Sequence, residues 1–121
     1  MRSVTLLKSI SNNTKLRIVS LLLEHELCVC ELEAILNIKQ ATISRNLSRL
    51  KASGIVEVRR EKQRGFYYLT DWFMSQTQFV EYIKTRRFEE PILQHDYESF
   101  VEHETIRDKQ VYVCNAFKDV S

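Results

Sequence analysis

The chain has 121 residues, 44% of them hydrophobic and 28% charged, with a formal net charge of +2. That length fits one domain around one core, and that balance excludes a disordered chain. No apolar run approaches the ~20 residues that cross a bilayer. The opening residues 1–8 turn polar too soon for a secretory signal, so the expected compartment is the cytoplasm, with no membrane partner.

Taken in chain order, Val4, Leu7 and Ile10 are spaced for one face of a short helix. Ser11, Asn12, Asn13 and Thr14 offer N-caps for a second helix to about residue 24, with Leu16, Val19, Ser20 and Leu23 along one side. A break at 25–27 precedes a short helix over 29–36, and 37–39 form a tight turn. A fourth helix is predicted over 40–53, closed by Gly54, a residue suited to the left-handed position after a helix. Residues 55–59 read as a strand, 61–65 as a turn closed by Gly65, and 66–69 as the returning strand. Thr70 and Asp71 cap a fifth helix, apolar at Trp72, Phe73, Phe79, Val80 and Ile83. Pro91 opens a further helix to 104, and 111–114 read as a strand. Helix, helix, turn, helix, hairpin, helix is the order of a winged helix-turn-helix: mainly α with a small β-hairpin. The predicted division is a domain over 1–87 and an extension of unknown role over 88–121.

Charge is concentrated where this motif lies. Residues 39–64 carry eight basic side chains (Lys39, Arg45, Arg49, Lys51, Arg59, Arg60, Lys62 and Arg64) against Glu57 and Glu61. The segments on either side are neutral and acidic. On the fourth helix Ile43, Leu47 and Leu50 fall within about 60° of one another and form the buried stripe. Small residues and arginines lie opposite, so the helix can sink into a major groove and present Arg to guanine or phosphate. The N-terminal turns of such a helix meet base edges. The candidate DNA-binding residues are therefore Gln40, Ala41, Thr42, Ser44, Arg45 and Arg49. Arg60, Lys62 and Arg64, together with Arg59, crowd the hairpin tip, where they can track phosphates. Lys39 stands where a Ser or Thr cap is preferred, which leaves the start of this helix weakly held.

Cys28, Cys30 and Cys114 are the only cysteines. An odd count in a reducing compartment argues against a disulfide framework and leaves metal, redox chemistry or core packing. Thiols at i and i+2 point about 200° apart on a regular helix and converge only at its end. Cys28 sits at such an end, with Glu31 completing a capping-box pattern around a thiol. Helix amides lower a thiol pKa, while Glu26, Glu31 and Glu33 would raise it. Soft thiolates select zinc, cadmium, copper(I) and arsenite. His25, His95 and His103 lack ligand spacing and read as surface residues. No nucleophile–base pair, metal–water site or phosphate loop points to an enzyme.

Over residues 4 to about 83 the chain resembles the ArsR/SmtB family of metal-sensing repressors. Cys28-Val29-Cys30-Glu31-Leu32 resembles its thiolate box. Gln40 to Leu47, followed by Leu50 and Gly54-Ile55-Val56, resembles its recognition segment. The resemblance implies a homodimer that represses from operator DNA, with a dimer face from Leu6, Leu7 and Ile10 together with Phe73, Phe79 and Val80. It also implies release by arsenite or antimonite, alternatively cadmium, zinc or lead, bound at Cys28 and Cys30. The third thiolate frequent in arsenite sensors is replaced by Glu33, so Cys114, Glu33 or a small thiol would complete the site. The Asp-x-His pair of fifth-helix zinc sites is absent at Asp71-Trp72-Phe73. The alternative is a repressor of the same fold that responds to thiol oxidation or persulfides.

Overall fold

The computed structural model describes residues 12–108. Helix α1 (Asn13–Leu22) leads through a short strand β1 (Leu27–Cys28) into α2 (Val29–Leu36) and α3 (Gln40–Ala52). The hairpin β2 (Val56–Glu61) and β3 (Arg64–Leu69) follows, then a single turn α4 (Asp71–Met74), α5 (Thr77–Glu89) and α6 (Pro91–Asp108). The helix expected over 4–10, its apolar Leu6, Leu7 and Ile10, and the strand expected over 111–114 lie outside the described residues.

Local chemistry explains most boundaries. The Asn12 side chain accepts the Thr14 and Lys15 N–H groups at 2.8 and 3.3 Å, and so starts α1. Asn37 ends α2 in the left-handed region (φ 56°), a conformation Asn tolerates, and so turns the chain toward α3. Ile43, Leu47 and Leu50 are fully buried beneath α3, as their spacing predicts. Gly54 (φ +78°) follows α3, with its own N–H on the Lys51 carbonyl and the Ile55 N–H on that of Leu50, both at 3.0 Å. These are the two bonds of a Schellman motif. A Cβ at Gly54 would meet nothing within 4 Å, so Gly54→Ala carries a purely conformational cost. Thermal denaturation should show a loss of about 1–2 kcal/mol, and no measurable loss would contradict this account of the turn.

The sheet has three strands in the order β1-β3-β2. Cys28 lies opposite Phe66 on β3, and Phe66 lies opposite Arg59 on β2. The break expected at 25–27 therefore ends in strand pairing, which is too short to show alternation in sequence. The hairpin turn also differs from expectation. Lys62 takes the left-handed conformation (φ 57°), while Gly65 is paired with Arg60 inside the strands. A Cβ on Gly65 would come within 3.0 Å of Arg60 Nη1 and 3.1 Å of Val58 Cγ2, so the glycine serves close approach rather than the turn.

The single fifth helix expected from Asp71 onward is broken at Ser75-Gln76 into α4 and α5. Thr70 caps α4 by accepting the Phe73 N–H at 3.2 Å. Phe73 and Val80 are buried in the protomer's own core, so the dimer face expected from them is corrected. Besides Tyr68 and Met74, the large apolar side chains left exposed among the described residues lie further on, among them Tyr82, Phe88, Ile92, Val101 and Ile106, with Phe88 79% exposed.

Helix α6 begins with Pro91 at its first position, where a missing N–H costs nothing. It buries Leu93 and Phe100 and packs on α1, α2 and α5. Much of the extension expected beyond residue 87 thus shares the domain's core. Among the described residues no helix is long and apolar enough to cross a membrane.

Candidate functional site

Opposite its buried stripe, α3 presents Gln40, Ala41, Ser44, Arg45 and Arg49 to solvent, with Thr42 half-buried beside them. Thr42 Oγ1 accepts from Arg45 Nη2 at 3.4 Å, which biases the guanidinium toward the helix N-terminus. Lys39 makes no side-chain cap. The orphan Gln40 N–H instead donates to a Glu33 carboxylate oxygen at 3.2 Å. Glu33, a candidate third metal ligand in sequence, is turned toward the start of α3.

On the wing Arg60 and Lys62 are exposed and Arg64 is half-buried. Arg64 and Arg59 both stack on Phe66, with ring-centroid distances of 5.9 and 4.9 Å. Arg59 is also held by Glu26, just before β1, and by Glu61 at 3.1 Å. The hydrogen bonds that Arg59 donates to Glu26 first and then to Glu61 push its pKa above the ordinary arginine range. Arg59 therefore braces the hairpin rather than reaching out from its tip.

The thiols do not face one another as a free pair. Cys28 is the N-cap of α2 and is buried. The Glu31 N–H points at its sulfur, and the Glu31 carboxylate accepts the Cys28 N–H at 3.2 Å. The box inferred from sequence is thus formed, with sulfur as a weak acceptor. Burial pushes the Cys28 thiol up from 9.0 to about 11, and the Glu31 amide offsets only part of that rise. Cys30, despite the odd cysteine count, is disulfide-bonded. Cys114 lies outside the described residues. Among the described residues no group of three or more His, Cys, Asp or Glu side chains could hold a metal ion.

His103, expected on the surface, is buried on α6, and its Nε2 lies 2.8 Å from Glu31 Oε2. One carboxylate so joins α6 to the first turn of α2. The Glu at the third position of a capping box was visible in sequence; its partner, 72 residues on, was not. His25 and His95 are exposed, as expected.

A basic, groove-sized helix beside a basic hairpin, both set on a helical core, defines a winged helix-turn-helix protein. Residues 12–58 match the arsR family of bacterial regulatory proteins. The chain is 39% identical over 69 residues to the transcriptional activator HlyU of Vibrio cholerae, covering 57% of this chain and 64% of that one. It is 46% identical over 66 residues to the biofilm growth-associated repressor of Xylella fastidiosa, covering 54% and 58%. The alignments thus span less than two thirds of these relatives' own length. The arsenic resistance transcriptional regulator ArsR2 of Pseudomonas putida is 43% identical over 63 residues, covering 51% and 55%.

Among solved structures, reduced HlyU from Vibrio cholerae is similar with TM-score 0.60 and 32% identity, covering 68% of this chain and 87% of that one. The repressor BigR from Xylella fastidiosa gives 0.60 and 35%, covering 73% and 82%. The homodimeric winged helix-turn-helix DNA-binding domain Mb0332 from Mycobacterium bovis gives 0.61 and 26%, covering 71% and 80%. The chain belongs to the ArsR family. These relatives are named as regulators, none as an enzyme.

Proposed function

We propose that this protein is a cytoplasmic, homodimeric repressor that binds double-stranded operator DNA in its dithiol form and is released when Cys30 and Cys114 join. Base reading falls to Gln40, Ala41, Thr42, Ser44 and Arg45, with Arg49, Arg60, Lys62 and Arg64 on phosphates. The observation that carries the switch is the contrast between neighbouring cysteines. Cys28 is free, buried and held protonated, whereas Cys30 is disulfide-bonded. Cys114 is the partner that this reading assigns to Cys30, as the remaining cysteine of the sequence. Disulfides in a reducing compartment are transient or sensory rather than structural.

A covalent tie between the first turn of α2 and the chain beyond α6 changes how α6 sits. Helices α5 and α6 carry the exposed Tyr82, Phe88, Ile92, Val101 and Ile106, an apolar surface suited to a second protomer. Moving that surface alters the spacing of two recognition helices, which must fit half-sites about one helical turn, or a multiple, apart. Sedimentation should give a dimer at micromolar concentration; a monomer with full operator affinity would remove the dimer from this reading.

A second reading places arsenite, antimonite, cadmium, zinc or lead at Cys28 and Cys30. The likeness to an arsenic resistance regulator favours it. It requires Cys28 to leave its cap and ionise, and Cys30 to be reduced. Gel-shift release of a promoter fragment by peroxide, by a persulfide donor and by each of these ions under strictly reducing conditions separates the two. Peroxide without effect, alongside release by arsenite, replaces the first reading with the second.

A further inference from the structure

Arg17 on α1 reaches two other helices. Its Nε donates to Asp96 Oδ2 at 2.8 Å, and its Nη2 donates to Asp96 Oδ1 at 3.0 Å and to the Leu36 carbonyl at 3.0 Å. Asp96 lies on α6 and is only 1% exposed, so the pair is shielded from water and its geometry is closely constrained. Leu36 is the last residue of α2, and its carbonyl is one of the orphans that a helix end must satisfy. The next residue, Asn37, makes the left-handed turn toward α3.

We infer that Arg17 is a positioning residue for DNA recognition, fixing the turn between α2 and α3 according to where Asp96 places its guanidinium. The inference rests on the DNA-binding reading above; the contacts are those of the chain with Cys30 in its disulfide, and it takes them to hold in the dithiol form as well. Two features make this turn the sensitive point. The recognition helix has no side-chain cap of its own at Lys39, and its first N–H is held only by Glu33, from the same α2 that Arg17 caps. A shift of α2's last turn therefore moves both the chain entering α3 and the carboxylate that receives its first amide. The planar fork of Arg serves Asp96 and Leu36 together; the single ammonium of Lys cannot reproduce that geometry.

The test uses the full chain under reducing conditions, as wild type, Arg17→Lys and Asp96→Asn. Each is measured for affinity to operator and to unrelated DNA at several salt concentrations, and for amide hydrogen exchange. Both variants should lose about tenfold in operator affinity, within the ~5–150-fold typical of coupled sites. Affinity for unrelated DNA and the salt slope should stay unchanged, because no phosphate contact is touched. Exchange should quicken at residues 37–42 while the core amides of α1 and α5 keep their protection. A merely structural role would instead raise exchange throughout and weaken both DNAs alike, and that result overturns the inference. So does an unchanged ratio of specific to unrelated affinity in folded variants. Wild type that holds its operator after oxidation refutes the thiol switch while leaving this result intact. Wild type that cannot tell the operator from unrelated DNA refutes the DNA-binding reading itself.

Discussion

Cys30→Ser should bind operator as wild type does under reducing conditions and should keep that affinity after oxidation. Peroxide first takes one thiolate to a sulfenic acid, releasing hydroxide; the second thiol then displaces water and closes the disulfide. Serine can do neither. Wild type should lose affinity by roughly 5- to 150-fold on oxidation, the span of ordinary allosteric coupling. Cys114→Ser should match Cys30→Ser, since either change leaves one thiol without its partner. Cys28→Ser should keep the full response to peroxide, because serine is a good N-cap and Cys28 takes no part in the disulfide. With its pKa raised to about 11 by burial, Cys28 is ionised in roughly one molecule in 10⁴ at pH 7 and should resist alkylation in the folded protein. The raised pKa also has a signed consequence. The folded state holds this proton more tightly than the unfolded chain, so stability is full below about pH 9 and falls as pH rises through about 11. Cys28→Ser should remove that fall in urea melts compared at pH 8 and pH 10.5. A Cys30→Ser protein that still releases DNA with peroxide would end the redox reading.

The helix-turn-helix was legible because its signals are local. A 3.6-residue stripe on α3, Gly54 after it and Asn37 before it each depend on neighbours a few positions away. The wing was legible in outline, from alternating strands and a basic turn. Its third strand was not, because two residues cannot display a period and Leu27–Cys28 becomes a strand only by meeting Phe66 and Tyr67. Apart from the wing turn, where Lys62 and not Gly65 takes the left-handed conformation, and the break at Ser75-Gln76, the failed expectations concern long-range partners. His103 reads as a surface histidine until α6 brings it to Glu31, and Phe73 and Val80 read as an interface stripe until the break at Ser75-Gln76 turns them into the core. The cysteine spacing suggested a shared ion, which is kept above as the second reading. What spacing cannot state is that one thiol is engaged as a helix cap and the other in a disulfide.

On the DNA side, Arg45→Ala and Lys62→Ala should fail in different ways. Arg45 is exposed on the second turn of α3, on the face opposite Ile43, Leu47 and Leu50, and Thr42 biases its guanidinium toward the helix N-terminus. A bidentate Arg–guanine contact contributes about 1–3 kcal/mol of discrimination, so Arg45→Ala should weaken operator binding by roughly 5- to 150-fold and relax preference at one base pair. Lys62 is exposed in the wing turn, with no helix behind it to fix its approach to a base edge. Its contribution is counterion release, which carries no sequence information. Lys62→Ala should therefore weaken operator and unrelated DNA alike and lower the salt slope by about one unit. Arg59→Ala forms the control, since Arg59 is committed to Glu26, Glu61 and Phe66. Its loss should lower thermal stability before it touches the salt slope. Binding isotherms on operator variants at four salt concentrations measure all three. If Lys62→Ala changed base preference more than Arg45→Ala, the wing and not α3 would be reading sequence, and the placement of this protein on its operator would have to be reversed.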